Sequence, residues 1–308
     1  MRPKFLISDI SLSEITSKKY DYAFFFSGYE ERCAHLSSLL NFDKIKETIS
    51  IRKTEKNSSS EYLDSDSFTN KAIKLNFSDF KNMDFAIKIA KILQKKQNKI
   101  SILVDYSSMP RQVYCDIINV AKTLENSVEI DFFYAHGTHE HYYKPAIVGD
   151  MYCLRGCESF ISTLDRTIAI VGLGFDDGAA LRILESVEPN EVYCLYAHPA
   201  AIDGYETMAI EKNKSIIRFS ATRAQNIIPA PISSVSDTYS TLYELTSPYL
   251  SNSNITILPF GPKPHVLASI LISMTHARVS CMYATTTQPP SKSVPATGEV
   301  TCTRVSLA

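Results

Sequence analysis

The sequence predicts an α/β protein made of two duplicated Rossmann-like units, each a doubly wound, mostly parallel sheet that ends in a β-hairpin. Three observations carry this prediction. Apolar strand-like runs alternate with helical ones, a set of motifs recurs in both halves, and 308 residues are enough for two domains that each bury a core. The predicted units are residues 1–161 and 162–308.

Two of the recurring motifs contain turns. In the first, a short apolar run leads into Gly, an aromatic residue and two acids, at residues 24–31 and 170–177. In the second, an apolar strand leads into a turn closed by Pro and a cation, at residues 102–111 and 256–263. These pairs are separated by 146 and 152 residues.

Two further motifs close the halves. Tyr-Ala occurs at residues 134–135 and 283–284, and the pattern Gly-acid-x-x-Cys-x-Arg occurs at residues 149–155 and 298–304. Both pairs are separated by 149 residues. Four matches in the same order with so little drift predict an internal duplication.

Strand and helix segments follow from the alternation of apolar and helical patterns, which is typical of a parallel sheet. The first half predicts strands at 22–26, 47–52, 100–105 and 128–135, helices at 30–40, 82–95 and 111–124, and a polar loop at 53–70. The second half predicts strands at 167–172, 191–197, 215–219, 254–260 and 278–284, and helices at 178–187, 206–212, 237–247 and 264–275.

Each half is predicted to close with an antiparallel hairpin at the edge of its sheet. The polar loops of the hairpins are 136–147 and 285–296, and the last strands are 150–154 and 299–303. Arg155 and Arg304 follow a Cys on these strands. We expect them to be structural cations, each paired with an acid of its own unit.

Composition and charge exclude several classes of protein. A net charge of -1 gives no general reason for non-specific nucleic-acid binding. The N-terminal residues lack the apolar core of a signal peptide, and no stretch is long and apolar enough for a membrane span. The seven cysteines are scattered and predict buried, reduced thiols. The sequence therefore predicts a cytoplasmic protein with no membrane partner.

Candidate ligand-binding residues lie where ligands bind in open α/β sheets, beyond the carboxyl ends of the strands. Ser27-Gly28 and Gly174 leave their strands and lead into helices, and glycine there lets the backbone approach a ligand. The loops at residues 107–111 and 261–263 end in Arg111 and Lys263. A helix N-terminus with a cation favours a phosphate group. Ordinary turn chemistry is the alternative explanation for the same Gly and Pro residues.

Three carboxylates allow a second function. Glu30 and Glu31 follow the first Gly motif, and Asp105 ends an apolar strand. Carboxylate oxygens suit Mg²⁺ or Mn²⁺, so these residues predict a possible metal centre for a phosphodiesterase or nuclease. Alternatively, the acids near the helix start only stabilise the helix dipole. No other cofactor is expected.

Two smaller features have a functional and a structural interpretation. The loop with His136, His139 and His141 fits either a metal pair or an exposed polar hairpin. Cys33, with His35 nearby at a helix start, fits either a low-pKa nucleophile or an inert core thiol.

The arrangement resembles a known family. A strand with a Gly-containing loop, then an apolar strand with a polar loop ending in a cation, is similar to the CRISPR-associated Rossmann-fold (CARF) domain. Two such units in one chain are similar to the SAVED domain. In that family a loop of the form Asp-x-Thr-Gly-Gly-Thr-Lys binds cyclic oligonucleotides. Residues 105–111 (Asp-Tyr-Ser-Ser-Met-Pro-Arg) share its acid, its hydroxyl residues and its final cation, but have Pro and lack the double glycine.

The resemblance implies a nucleotide-binding role, through which the protein would act on a protein effector partner in antiviral defence. It assigns ligand contacts to Ser27, Gly28, Ser107, Ser108 and Arg111 in one unit, and to Gly174, Gly261 and Lys263 in the other. Arg111 and Lys263 would hold the phosphates.

Three functions from different classes are therefore consistent with the sequence. They are a nucleotide sensor that binds a ligand without chemistry of its own, a metal-dependent phosphodiesterase or nuclease, and a structural assembly subunit.

Overall fold

The computed structural model describes residues 5–28, 30–53, 72–77, 83–94, 99–138, 147–159, 164, 166–175, 178–219, 222–287 and 294–307. The strands are β1 Phe5–Asp9, β2 Tyr20–Ser27, β3 Ile45–Lys53, β4 Ile73–Phe77, β5 Ile100–Asp105, β6 Val128–Gly137, β7 Ile147–Cys153, β8 Thr167–Gly172, β9 Glu191–Ala197, β10 Thr222–Ala230, β11 Asn254–Pro259, β12 Val279–Thr287 and β13 Ala296–Leu307. The helices are α1 Leu12–Ser17, α2 Asp84–Leu93, α3 Arg111–Ala121, α4 Gly178–Val187, α5 Tyr205–Lys212, α6 Lys214–Ile217, α7 Val235–Thr246 and α8 Lys263–Thr275.

The strands form two mostly parallel sheets. The first has the order β1-β13-β6-β5-β2-β3-β4, in which β4, β3, β2, β5 and β6 are parallel. The second has the order β10-β9-β8-β11-β12-β7, in which the first five strands are parallel. The predicted fold class, α/β with two Rossmann-like sheets, is confirmed.

The chain divides into two compact units. Pro3–His139 and Pro290–Ala308 form one, called here the N-terminal unit, and Glu140–Pro289 belongs to the other, called the central unit. The boundary that the sequence predicts, between residues 161 and 162, lies outside the described residues. None of the helices in the described ranges is both long and apolar enough to cross a membrane.

The two parallel sheets have the same strand order, which is the arrangement that the duplication predicts. In each, β2 or β8 lies at the centre, the next two strands in sequence (β3 and β4, or β9 and β10) lie to one side, and the following two (β5 and β6, or β11 and β12) lie to the other. Pro110 and Pro262 stand in extended conformations just before α3 and α8, the helices that follow equivalent strands. The duplication itself stays a prediction.

The predicted hairpins are wrong, because the two halves exchange their closing strands. β13 of the second half pairs antiparallel with β6 of the first, and β7 of the first half pairs antiparallel with β12 of the second. The two pairings have equivalent registers. Val300, Thr301 and Cys302 face Ala135, Tyr134 and Phe133, while Met151, Tyr152 and Cys153 face Ala284, Tyr283 and Met282. Corresponding residues lie 149 positions apart, so either partner satisfies the same local pattern.

Two other predicted segments differ from the structure. The predicted helix 30–40 is two short 3₁₀ turns, Glu31–Ala34 and Ser37–Leu39. Ser37 and Ser38 donate hydrogen bonds to the carbonyls of Ala34 and His35, which competes with an α-helical ladder. The predicted strand 215–219 is largely α6, and the neighbouring strand is β10. β10 contains Pro229 and lies at the sheet edge, where proline is tolerated.

A buried ion pair fastens the exchanged strand β13 to β6. Arg304 donates to both carboxylate oxygens of Asp131, at 2.8 and 3.0 Å, and the Asp131 side chain is fully buried. Lys18 and the Tyr20 hydroxyl also bind this carboxylate, at 2.8 and 2.9 Å. These cations and hydrogen bonds lower the pKa of Asp131 although burial alone would raise it. Arg304 is thus a structural cation as predicted, but its acid lies in the first half of the sequence.

We expect Arg304→Met to lower the free energy of unfolding by about 2–4 kcal/mol, because a buried carboxylate loses its bidentate partner. Denaturant unfolding measures the loss. The matched control is Arg166→Met, which removes a half-exposed arginine from a surface pair with Glu191 and is expected to cost less than about 1 kcal/mol. Equal losses in the two variants would contradict the structural role of the pair.

The strand exchange predicts a specific cross-link. Glu129 on β6 faces Ser306 on β13, so we expect Glu129→Cys with Ser306→Cys to form a disulfide on mild oxidation. Mass spectrometry of the digested protein identifies the joined peptides. A hairpin within the first half would instead place Cys157 opposite residue 129, since residues 157 and 306 are 149 positions apart. A disulfide from the single variant Glu129→Cys to Cys157 would refute the exchange.

Candidate functional site

The carboxyl ends of β2, β5 and β6 form the candidate site of the N-terminal unit. β2 and β5 are neighbours, but the strands that follow them in sequence lie on opposite sides. This reversal of strand order is where open α/β sheets bind ligands. Ser27 is the last residue of β2, Asp105 is the last residue of β5, and Arg111 begins α3.

The loop after β5 is tied to β6 by one serine. Ser107 is buried, and its hydroxyl donates to Asp105 Oδ1 at 2.6 Å and accepts the Ala135 N–H at 2.8 Å. Its own N–H also binds Asp105 Oδ1, at 3.0 Å. Ser107 therefore has a structural role whether or not a ligand binds there.

Gly28 and Ser108 lie against each other across the two loops. A Cβ on Gly28 would stand 3.3 Å from Ser108 Oγ, and the Ser108 hydroxyl lies 3.5 Å from the Phe26 carbonyl. A larger residue than Gly28 would press on both neighbours. The structure thus brings together Ser27, Gly28, Ser107 and Ser108 at one sheet edge, as predicted from the sequence.

The central unit has the equivalent loops, but they are packed backbone against backbone. A Cβ on Gly174 would lie 2.2 Å from the Phe260 carbonyl oxygen, and one on Gly261 would lie 3.4 Å from the Leu173 carbonyl oxygen. Asn213 donates to the Gly174 carbonyl at 2.7 Å. The backbones of the two loops therefore lie in close contact, and a side chain at position 174 would collide with the facing loop. Lys263 follows as the first residue of α8.

The three carboxylates proposed as a metal centre are not gathered into one. Glu30 binds Arg32 Nε at 2.8 Å, Glu31 is exposed, and Asp105 is buried against Ser107. Within the described ranges, no group of three or more His, Cys, Asp or Glu side chains is placed to hold a metal ion. Asp176 and Asp177, the counterparts of Glu30 and Glu31, lie outside the described residues.

Arg32 is a site residue that sequence reasoning missed. Its side chain is only 4% exposed. Besides the ion pair with Glu30, its Nη1 donates to the Tyr134 hydroxyl at 3.0 Å and to the Ala135 carbonyl at 3.4 Å. An arginine beside two acids in the sequence is typical of a solvated turn. Arg32 is buried because β6 packs beside this turn in the folded protein.

His136 is buried beside Arg32 and is not part of an exposed hairpin. Its Nε2 lies 2.8 Å from the Thr301 hydroxyl on β13, and its ring packs edge-on against Tyr134. Burial and, to a smaller extent, the charge of Arg32 lower the pKa of His136 to about 4. It is neutral at pH 7. His139 and His141 lie outside the described residues.

The nucleophile interpretation of Cys33 is wrong. Burial, together with the charges of Asp105 and Glu30, raises the pKa of this thiol to about 11 although hydrogen bonding with the Gly28 backbone and with Ser108 opposes the shift. A thiolate is therefore disfavoured at neutral pH. All seven cysteines lie in described residues and none forms a disulfide, which agrees with reduced thiols.

Comparison with known proteins identifies no family for this chain. No protein-family model matches it, and no curated protein is significantly similar to it.

The buried histidines predict an acid sensitivity of folding. Burial lowers the pKa of His136 and of His265, on α8, to about 4, against about 6.5 in an unfolded chain. Between these values the unfolded chain binds more protons, so stability falls as the pH drops from about 6.5 toward about 4. We expect His136→Gln to reduce this acid-induced loss in the free energy of unfolding by up to about 3 kcal/mol.

Denaturant unfolding at several pH values measures the slope. Ser107→Ala removes a buried hydroxyl from the same sheet edge, so it is expected to lower stability by a similar amount at every pH. A wild-type slope retained in His136→Gln would show that His136 does not titrate with folding.

Proposed function

We propose that this protein binds a nucleotide ligand, with cyclic oligonucleotides among the candidates, at the carboxyl edges of its sheets. It would act as a sensor that passes the signal to a protein partner. The proposal combines a feature of the fold, the two equivalent helix starts, with the resemblance of residues 105–111 to the CARF and SAVED loop.

The observation that carries the anion-binding part is the placement of two cations. Arg111 and Lys263 are the first residues of α3 and α8, which follow equivalent strands at the points where strand order reverses. A cation at a helix N-terminus opposes the helix dipole by about 0.3–1 kcal/mol. An anion bound there would be stabilised by both the dipole and the cation, which would offset that cost.

The same helix starts lack a side-chain cap. Pro110 and Pro262 occupy the N-cap positions and have no side-chain oxygen to accept from the first-turn N–H groups. Such N–H groups are the ones that bind phosphate in other α/β proteins. The half-buried position of Arg111 and Lys263 leaves part of each side chain accessible to a ligand.

The nucleotide part of the proposal, the effector partner and the role in antiviral defence are supported by the family resemblance alone. The metal-dependent phosphodiesterase has less support, because Glu30 is engaged by Arg32 and the described residues hold no metal cluster. A structural assembly subunit is the outcome that remains if no nucleotide binds.

Titration of the full chain with linear and cyclic nucleotides tests the proposal. We expect Arg111→Ala to weaken binding by about tenfold or more, because a charge-assisted hydrogen bond contributes about 1.5–3 kcal/mol. Lys263→Ala is expected to act in the same direction. Isothermal titration calorimetry, with and without Mg²⁺, measures the dissociation constants.

The matched control is Lys122→Ala, because Lys122 lies at the opposite end of α3. We expect it to leave the dissociation constant unchanged. The proposal fails if the wild-type protein binds none of the nucleotides, or if binding is indifferent to both Arg111→Ala and Lys263→Ala.

A further inference from the structure

Two buried side chains at the edge of the N-terminal sheet each have a nitrogen with no hydrogen-bond partner among the described residues. The Arg32 guanidinium commits Nε to Glu30 and Nη1 to Tyr134 and Ala135, and no described residue accepts a hydrogen bond from Nη2. His136 uses Nε2 with Thr301, while its Nδ1 is fully buried with no partner among the described residues. Arg32 is 4% and His136 2% exposed.

Such atoms are uncommon in folded proteins and need an explanation. Leaving a buried donor or acceptor unsatisfied costs about 1–3 kcal/mol, and more for a charged group. Either an ordered water or a ligand group would recover this energy. His136 Nδ1 is such an atom, and Arg32 Nη2 on the neighbouring side chain also makes no hydrogen bond to a described residue. The two nitrogens lie at the ligand edge of one sheet and favour a site for a ligand group.

Arg32 and His136 adjoin the loop that is proposed to hold the phosphate. Ala135 connects them, because its carbonyl accepts from Arg32 and its N–H donates to Ser107. Ser107 lies four residues before Arg111 in the same loop and helix start. The proposed phosphate position and the two unused nitrogens therefore lie at the same edge of the N-terminal sheet.

The local charge balance favours a neutral group over a second phosphate. Glu30 compensates the charge of Arg32, and His136 is neutral at pH 7. Asp105 adds a buried carboxylate beside Ser107. A further anion would meet two carboxylates and one cation, whereas a neutral planar group with a donor and an acceptor would meet only hydrogen-bonding partners.

We propose that Arg32 Nη2 and His136 Nδ1 bind the polar edge of a nucleobase and so give the N-terminal unit its base preference. This inference rests on the proposed nucleotide function. The central unit has no counterpart, since Gly178 and Thr285 stand where the repeat offsets place Arg32 and His136. Base recognition at these residues would therefore belong to one unit only.

The test compares the full-length protein's affinity for the four ribonucleoside 5′-monophosphates, for cyclic dinucleotides that differ only in base, and for ribose 5-phosphate. We expect the wild type to prefer one base and to bind its nucleotide about tenfold or more tighter than ribose 5-phosphate. Arg32→Lys keeps a cation for Glu30 but removes the guanidinium nitrogens. It should therefore abolish most of the difference in affinity between the preferred nucleotide and ribose 5-phosphate. Its affinity for ribose 5-phosphate should not change.

A matched pair of variants isolates the His136 nitrogen. His136→Gln places its polar atoms near the position of Nε2, so it keeps the contact with Thr301 and should lose base preference. His136→Asn places them near the position of Nδ1 and should retain part of it. Circular dichroism and thermal unfolding verify that each variant is folded.

The possible outcomes separate this inference from the proposed function. If the wild type binds no nucleotide, both fail. If it binds nucleotides and the variants keep its base preference, the unused nitrogens hold water only and this inference alone fails. If Arg32→Lys weakens ribose 5-phosphate as much as it weakens nucleotides, Arg32 binds phosphate and the base-recognition role is refuted.

Discussion

The Arg304–Asp131 pair is the interaction on which the N-terminal unit depends. Asp131 lies in the middle of β6 with a fully buried side chain, and an acid in that position is tolerated only when cations and hydrogen bonds surround it. Its bidentate partner comes from the last strand of the chain, 173 residues later. Forming the pair fixes the register of β13 against β6. The first sheet is therefore incomplete until the C-terminal segment has joined it.

The register that this pair fixes also shapes the candidate site. With Arg304 opposite Asp131, Thr301 stands where its hydroxyl meets His136, and Cys302 enters the core beside Phe133 and Ala135. Just before the strand, the Val294 carbonyl accepts the Arg32 N–H at 3.3 Å. A slip of one residue would turn each of these side chains to the opposite face. The two buried polar residues of the site thus depend on an ion pair near the other end of the sheet.

Local sequence patterns predicted the parallel sheets because each strand or helix can be recognised from its own apolar residues. An example is the apolar run Ile102–Val104 in β5, before α3. These patterns could not predict the strand exchange, since β7 and β13 carry the same local motif and pair in equivalent registers over residues 151–153 and 300–302. The glycines and serines of the site were predictable from turn chemistry. Arg32 and His136 were not, because their burial depends on contacts with strands more than 100 residues away.

The two units share a strand order but differ in the chemistry of their ligand edges. In the central unit, backbone packing at Gly174 and Phe260 occupies the space between the equivalent loops. In the N-terminal unit, the Ser108 side chain faces Gly28 across the equivalent loops instead. Since a contact between backbone atoms offers no side-chain group to a ligand, whereas the half-buried Ser108 hydroxyl does, the N-terminal unit is the one whose loops present a hydrogen-bonding side chain at this edge.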